Sequence, residues 1–238
     1  MTYDDLTSAR CVPPIGRGGP QVIPRPSAFR LGGPSPWARL VDRSLTLDHL
    51  AAVFDGREPA RIHGPRRGDE RPAAVLIALY DSPTGGGPHV VLTRRSPLLT
   101  SHSHEVAFPG GHQDPADLDL WDTALREAEE EVGINQAAVH LIGRLDPITT
   151  VGSRSIVHPY VAVLKEPPVL APNLGEVEAI LYVPLAELLL DEAYREEEWS
   201  SDDASLIITF FELAGDTIWG ATAAILRQLL AVALKVDN

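Results

Sequence analysis

WDTALREAEEEVGI, residues 121–134, is the stretch on which the reading of this chain turns. At about 100° per residue, Trp121, Ala124, Leu125, Ala128 and Val132 fall on one apolar arc, which predicts a helix over 121–132. Asp122 is placed to cap its N-terminus and Gly133 to end it. Glu127, Glu130 and Glu131 lie beside that arc at i, i+3 and i+4, a spacing that makes their carboxylates converge. Like charges so placed cost a helix a few tenths of a kcal/mol. A hard divalent cation such as Mg²⁺, which prefers oxygen ligands, would offset that cost. Arg126, four residues before Glu130, is placed to hold its carboxylate. The plainer alternative is a solvated acidic helix face.

The flanks of the helix favour chemistry. Phe108-Pro109-Gly110-Gly111 precedes it, and glycines there let the backbone approach a ligand closely. A Gly-rich loop feeding an acidic helix brings phosphate oxygens and a cation together. Further upstream, AAVLIALY (73–80) reads as a buried strand, SPTGGGP (82–88) as a loop and HVVLTRR (89–95) as a second strand, antiparallel to the first. Downstream, strands are expected at 140–146, 156–164, 179–184 and 205–213, with a short helix over Leu185–Leu190. Ile218, Ala221, Ile225, Leu229 and Val232 recur at helical spacing and predict a helix over 217–236. The mixed order implies an α+β fold or a layered α/β/α sandwich.

The N-terminal part differs in character. Residues 11–36 are crowded with Pro and Gly and read as an extended arm. Thr46 then caps a short helix carrying Leu47, Leu50, Val53 and Phe54, closed by Gly56. The charged, Gly/Pro-rich run at 57–71 suggests a boundary, so residues 1–68 are taken as an arm with a short helix and 69–238 as the main domain. With 44% hydrophobic residues in 238, the chain can bury a sizeable core. No apolar run long enough to span a membrane is found, and no signal pattern begins the sequence, so a cytoplasmic location is the default. The single cysteine, Cys11, excludes an intrachain disulfide. A net charge of −13 argues against long nucleic acid as a partner.

Gly111 through Ile134 resembles the Nudix box, G-x5-E-x7-R-E-U-x-E-E-x-G-U. Arg126-Glu127, Glu130-Glu131, Gly133 and Ile134 match its second half. In the first half, the expected Gly and Glu positions hold His112 and Leu118, and Gly111 and Asp117 fit one residue earlier. The longer form, Gly110-Gly111-x-x-Asp114-x-x-Asp117 before TALREA, resembles the coenzyme A pyrophosphatase branch of that superfamily. So do VLTRRSPLLTSHSHEVAFPGG (91–111) and IWGATAAIL (218–226). Thr100 stands where the branch usually has Arg or Lys, and His104 where it has Gly. The resemblance covers about residues 70–235.

The resemblance implies an α/β/α sandwich around a mixed β-sheet. It implies Mg²⁺ or Mn²⁺ held by Glu127, Glu130 and Glu131, neutralising pyrophosphate charge and activating water. The implied catalytic set is Arg126, Glu127, Glu130 and a loop carboxylate, Glu176 or Glu178, with the base open among the glutamates. Arg95, Gly110, Gly111, His102 and Arg154 are the implied substrate-binding residues. Strand alternation puts Arg94 and Arg95 on opposite faces. The implied reaction cleaves coenzyme A or an acyl derivative to 3′,5′-ADP and 4′-phosphopantetheine. The departures at Thr100 and His104 keep open another substrate, such as ADP-ribose, a dinucleotide or a damaged nucleotide. A non-catalytic nucleotide sensor is the third reading. The partner is a small nucleotide-containing molecule, and a homodimer is an open alternative to a monomer.

Overall fold

In the computed structural model, residues 15–99, 102–150, 152–200 and 205–237 are described; Cys11 and Thr100 lie outside them. Along the chain come β1 (Phe29–Leu31), α1 (Leu47–Phe54), β2 (Arg71–Asp81), β3 (Pro88–Arg95), β4 (Val106–Ala107), β5 (Gly110–His112) and α2 (Leu120–Val132). Then follow β6 (Val139–Arg144), β7 (Ile148–Thr149), β8 (Ser155–Leu164), β9 (Val177–Pro184) and α3 (Leu185–Leu188). The chain ends with β10 (Tyr194–Ser200), β11 (Ser205–Glu212), β12 (Thr217–Trp219) and α4 (Gly220–Leu234).

The apolar run of β2 lies at the centre because both of its faces are covered. Ala74, Leu76, Ala78 and Tyr80 pack with Ala124, Ala128 and Val132 of α2. Ile77 and Leu79 point the other way, into a core with Leu50 and Phe54 of α1 and Leu226 and Leu229 of α4. The period of two in the strand thus separates two helical layers. β2 pairs parallel with β8 and antiparallel with β3 and β5, and β9 lies on the far edge of β3. This is the expected α+β architecture, an α/β/α sandwich around a mixed sheet. Short β4 and β5 fill the fork where β2 and β3 part, and that fork brings Gly110-Gly111 against α2.

A second, antiparallel sheet runs β1-β10-β11-β12. It accounts for most of the differences from expectation. Phe29–Leu31, inside the stretch read as an arm, pairs with Glu197–Trp199. Trp37 is fully buried against Tyr194 and Phe211. Thr217–Trp219, expected to open the last helix, instead pairs with Phe210–Glu212, and the helix starts only at Gly220. Gly220 takes φ +63, which an α-helix cannot continue through, so the turn falls there. FPGG likewise ends in strand β5, not in a loop. Thr46 caps α1 as expected, its side chain accepting from His49 N–H.

Candidate active site

The box helix is fixed at both ends. Asp119, not Asp122, is its N-cap, accepting from the Asp122 N–H at 2.9 Å, while Asp122 accepts from the Leu118 N–H at 3.1 Å. Asp119 thereby satisfies one donor that the helix leaves unpaired, and Asp122 ties back the residue before the cap. Gly133 ends the helix at φ +73. The helix is thereby clamped with Glu127 and Glu131 toward the glycines of β5.

Gly110 is required by backbone space, and Gly111 lies against the Glu127 carboxyl. A Cβ on Gly110 would lie 2.3 Å from the Ala74 carbonyl oxygen and 2.7 Å from Val75 Cα. A Cβ on Gly111 would lie 2.5 Å from the Glu127 carboxyl carbon. The Gly110 N–H donates to Glu131 Oε2 at 3.2 Å. The second half of the motif therefore packs directly on the first.

Arg126 organises the acids. It makes a two-pronged pair with Asp117, Nε to Oδ1 at 2.8 Å and Nη2 to Oδ2 at 3.0 Å. Its Nη1 donates to Glu127 Oε1 at 2.9 Å and to Glu130 Oε2 at 3.1 Å. Asp117, noted in the sequence only as a displaced motif position, is its principal partner and also accepts from Thr123 Oγ1. The Arg126 guanidinium holds the Asp117 carboxyl well below the usual carboxylate range. Arg126 is thus an orienting residue for two glutamates. Its signal in the sequence was the i, i+4 spacing to Glu130; the longer reach to Asp117 depends on a loop that spacing cannot describe.

The glutamates differ in setting. Glu130 is exposed, Glu127 is largely covered, and Glu131 is 4% exposed. Burial raises Glu127, with Arg126 opposing, and burial pushes Glu131 up to about 8 despite the Gly110 N–H and the nearby Arg95. Glu176 stands close enough to raise both further. Among the described residues, five carboxylates (Asp117, Glu127, Glu130, Glu131, Glu176) face two arginines here, Arg95 and Arg126. That donor set fits a hard divalent cation, which would take up the uncompensated charge. The expected convergence is nevertheless incomplete. Among the described residues no three His, Cys, Asp or Glu side chains are gathered as a metal group. The reason is local: Arg126 draws Glu127 and Glu130 toward itself, while Glu131 turns to Gly110.

Arg94 and Arg95 part as the alternation requires. Arg94 pairs with Asp216 at 2.8 and 2.7 Å, whereas Arg95 is felt by Glu131, and its buried Nε has no hydrogen-bond partner among the described residues. Of the two loop carboxylates, Glu176 lies with the box glutamates, and Glu178 is engaged by His104 Nδ1 at 3.0 Å and Arg94 at 3.6 Å. His102 contacts Glu105 at 2.9 Å. Arg154 makes an exposed pair with Asp69 at 3.2 Å and is not drawn to the carboxylates. A groove of about 440 Å³ between Gly133–Asn135 and Leu164–Leu170 opens at the other end of α2, and none of these carboxylates lines it.

Comparison with known proteins adds three findings. The NUDIX domain family matches residues 70–203. An uncharacterized Nudix hydrolase, NudL, of Photorhabdus laumondii is 40% identical over 161 residues, covering 68% of this chain and 84% of its own. Its counterpart from Yersinia enterocolitica is 36% identical, covering 77% and 91%. The mitochondrial Nudix hydrolase 15 of Arabidopsis thaliana is 38% identical, and this chain spans 60% of its length. Among solved structures, a Nudix hydrolase from M. smegmatis, RenU, aligns at 22% identity with a TM-score of 0.43, covering 52% of this chain and 77% of that one.

Proposed function

The chain belongs to the NUDIX domain family, and from that premise we propose that it hydrolyses the pyrophosphate linkage of coenzyme A or acyl-coenzyme A, giving 3′,5′-ADP and 4′-phosphopantetheine or its acyl form. The observation that carries the hydrolytic reading is the pair of covered carboxylates, Glu127 and Glu131, pressed against Gly110-Gly111 with too few cations to balance them. The branch motifs at 91–111 and 218–226 carry the choice of coenzyme A. In this reading Glu127, Glu130 and Glu131 hold Mg²⁺ or Mn²⁺. The cation supplies charge neutralisation at the phosphate oxygens and acidifies water.

The remaining work falls to the chain. Gly110 and Gly111 let the β5 backbone lie close against β2 and Glu127, which sets the box carboxylates beside the site. Arg95, whose buried Nε has no partner among the described residues, offers its guanidinium to a phosphate oxygen. Arg126 orients Glu127 and Glu130. Glu176 takes the proton from the attacking water, with Glu127 and Glu130 as the alternative bases. His102 and Arg154 stand on the substrate side. The substrate is a small nucleotide-containing molecule, and the reaction is cytoplasmic. One observation favours a second reading, another nucleoside diphosphate derivative: the His104 side chain fills a loop position where the branch has Gly. The intact carboxylates count against a non-catalytic sensor.

The test is product analysis with Mg²⁺ or Mn²⁺ and a panel of coenzyme A, acetyl-coenzyme A, ADP-ribose, NADH and diadenosine polyphosphates, beside Glu130→Gln. Release of 3′,5′-ADP from coenzyme A, lost in the variant, is expected. Cleavage of a different panel member alone would move the assignment to the second reading.

A further inference from the structure

Five side chains outside the box form a closed polar ring behind the site. Gln21 Nε2 donates to Asp216 Oδ1 at 2.8 Å. Asp216 accepts the two-pronged pair from Arg94. Arg94 faces Glu178 at 3.6 Å, and Glu178 meets His104 Nδ1 at 3.0 Å. The His104 carbonyl then accepts from Gln21 Nε2 at 3.0 Å, closing the ring. Gln21 is itself buried, and its Oε1 accepts from the Thr217 N–H at 2.8 Å, so its polar head is fully used. Two carboxylate-and-arginine contacts could be chance neighbours at a surface. A buried amide that spends every bond on two separate segments, 216–217 and the loop at His104, is a built junction.

The ring encloses an irregularity next to the site. Arg94 opposes Ala179 and Arg95 opposes Val177, so Glu178 is the extra residue of a bulge in β9. A bulge bends its strand and re-aims the neighbouring side chains. Here the bend turns Glu178 into the ring and leaves Glu176 with the box glutamates. The same segment is tied to the end of β3 by the Ser96 N–H, which donates to the Glu176 carbonyl at 2.8 Å. The loop bearing His104 is tied to Arg95 in both directions, Arg95 N–H to Glu105 O at 2.9 Å and His104 N–H to Arg95 O at 3.1 Å. His104 takes φ +62, a left-handed conformation that strains a residue bearing a Cβ. The strained residue is retained where its carbonyl and its ring both serve the junction.

We infer that Gln21, from the Pro/Gly-rich N-terminal segment, is a positioning residue: through Asp216, Arg94 and His104 it fixes the Glu178 bulge and so sets Arg95 and Glu176 against the box glutamates. The inference rests on the proposed hydrolytic reading of that site. It gives the segment before the family match a part in the chemistry, and it gives His104 a task that glycine cannot perform.

The test uses the full chain and two readouts. Hydrogen exchange on the metal-free protein follows the amides of Arg95, Ser96 and His104, with amides of β2 as the control for global opening. Steady-state kinetics on the best panel substrate follows kcat and KM. Gln21→Met, which keeps size and loses the bonds, is expected to speed exchange at those three amides about tenfold with β2 unchanged, and to lower kcat about tenfold while KM stays within about twofold. His104→Gly relieves φ +62, so its melting temperature should not fall, yet the same amides and kcat should move in the same direction. Unchanged exchange at Arg95 and Ser96 in Gln21→Met overturns the inference. So does faster exchange with unchanged kcat, which would leave the ring a purely structural tie. A wild-type protein that cleaves nothing in the panel defeats the functional reading instead, and the exchange measurement alone then decides whether Gln21 holds the loop.

Discussion

Two places in this molecule bury glutamates, and they do so in opposite ways. In the second sheet, Glu197 is fully buried and Glu212 is 1% exposed. Glu197 accepts from Arg25 at 2.9 and 2.7 Å, from Trp199 Nε1 at 2.7 Å and from Arg195. Glu212 accepts from Arg195 at 2.7 Å and from Thr217 Oγ1 at 2.6 Å. In the box helix, Glu131 is nearly as buried and receives one backbone N–H. Burial alone therefore does not mark a functional acid. A buried carboxylate with a complete set of donors is structural, and one left short of donors is set for a ligand that completes it.

The largest effect expected from this contrast lies in the completed network. Glu197→Ala strands Arg25 and Arg195 and should cost about 3–5 kcal/mol, measured by denaturant unfolding. A loss below about 1 kcal/mol would mean the network is not the tie described. In the incomplete site the consequence should fall on turnover. Glu127→Gln is expected to lower kcat about a hundredfold or more without lowering the melting temperature, since the amide removes a desolvated charge. Normal turnover in that variant would dissolve the distinction between the two regions. Next in size, Asp117→Asn weakens the pair that aims Arg126, and activity should fall about ten- to a hundredfold, an effect of the scale seen when outer partners of metal ligands are lost. Activity equal to wild type would leave Arg126 oriented by its glutamates alone.

The smallest effect is a pH dependence. Glu131 in the folded protein sits at about 8, above its ordinary value of 4.5, so the folded state holds a proton that the unfolded state releases. Its contribution in metal-free protein is present below about pH 4.5 and is lost as pH rises toward about 8. The melting temperature should therefore decline across that window, and Glu131→Gln should flatten the decline. Asp117 works in the opposite sense: its carboxyl is held low by Arg126, so its contribution is present above about pH 4 and lost on further acidification.

The same contrast explains what could be read in the sequence. The apolar arc Ala124, Ala128 and Val132, with Gly133 after it, located the box helix because burial there follows hydrophobicity. The central strands were legible for the same reason. Of the second sheet only β11, expected at 205–213, was legible: YREEEWS forms β10, and its inward residues include Glu197, which charge patterning assigns to solvent. Arg25, supplied by a distant segment, joins Arg195 and Trp199 of the strand itself in making that burial tolerable. Trp37 and Gln21 lie in a Pro/Gly-rich stretch with no period, so the pairing and packing that hold them are long-range. Within the site, the glutamates and glycines were legible from spacing. The role of Asp117, the division between Glu176 and Glu178, and the ring through Gln21 depend on loops and a bulge, where spacing ceases to report direction.

The central claim is that the box glutamates lack a counter-charge that a divalent cation supplies. It is tested most directly by Mn²⁺ titration followed by electron paramagnetic resonance, comparing the wild-type chain with Glu127→Gln and Glu131→Gln. A Mn²⁺ site in the wild type, with affinity falling about tenfold or more in each variant, is expected. Equal affinity in all three proteins, or no Mn²⁺ binding by the wild type, would contradict it.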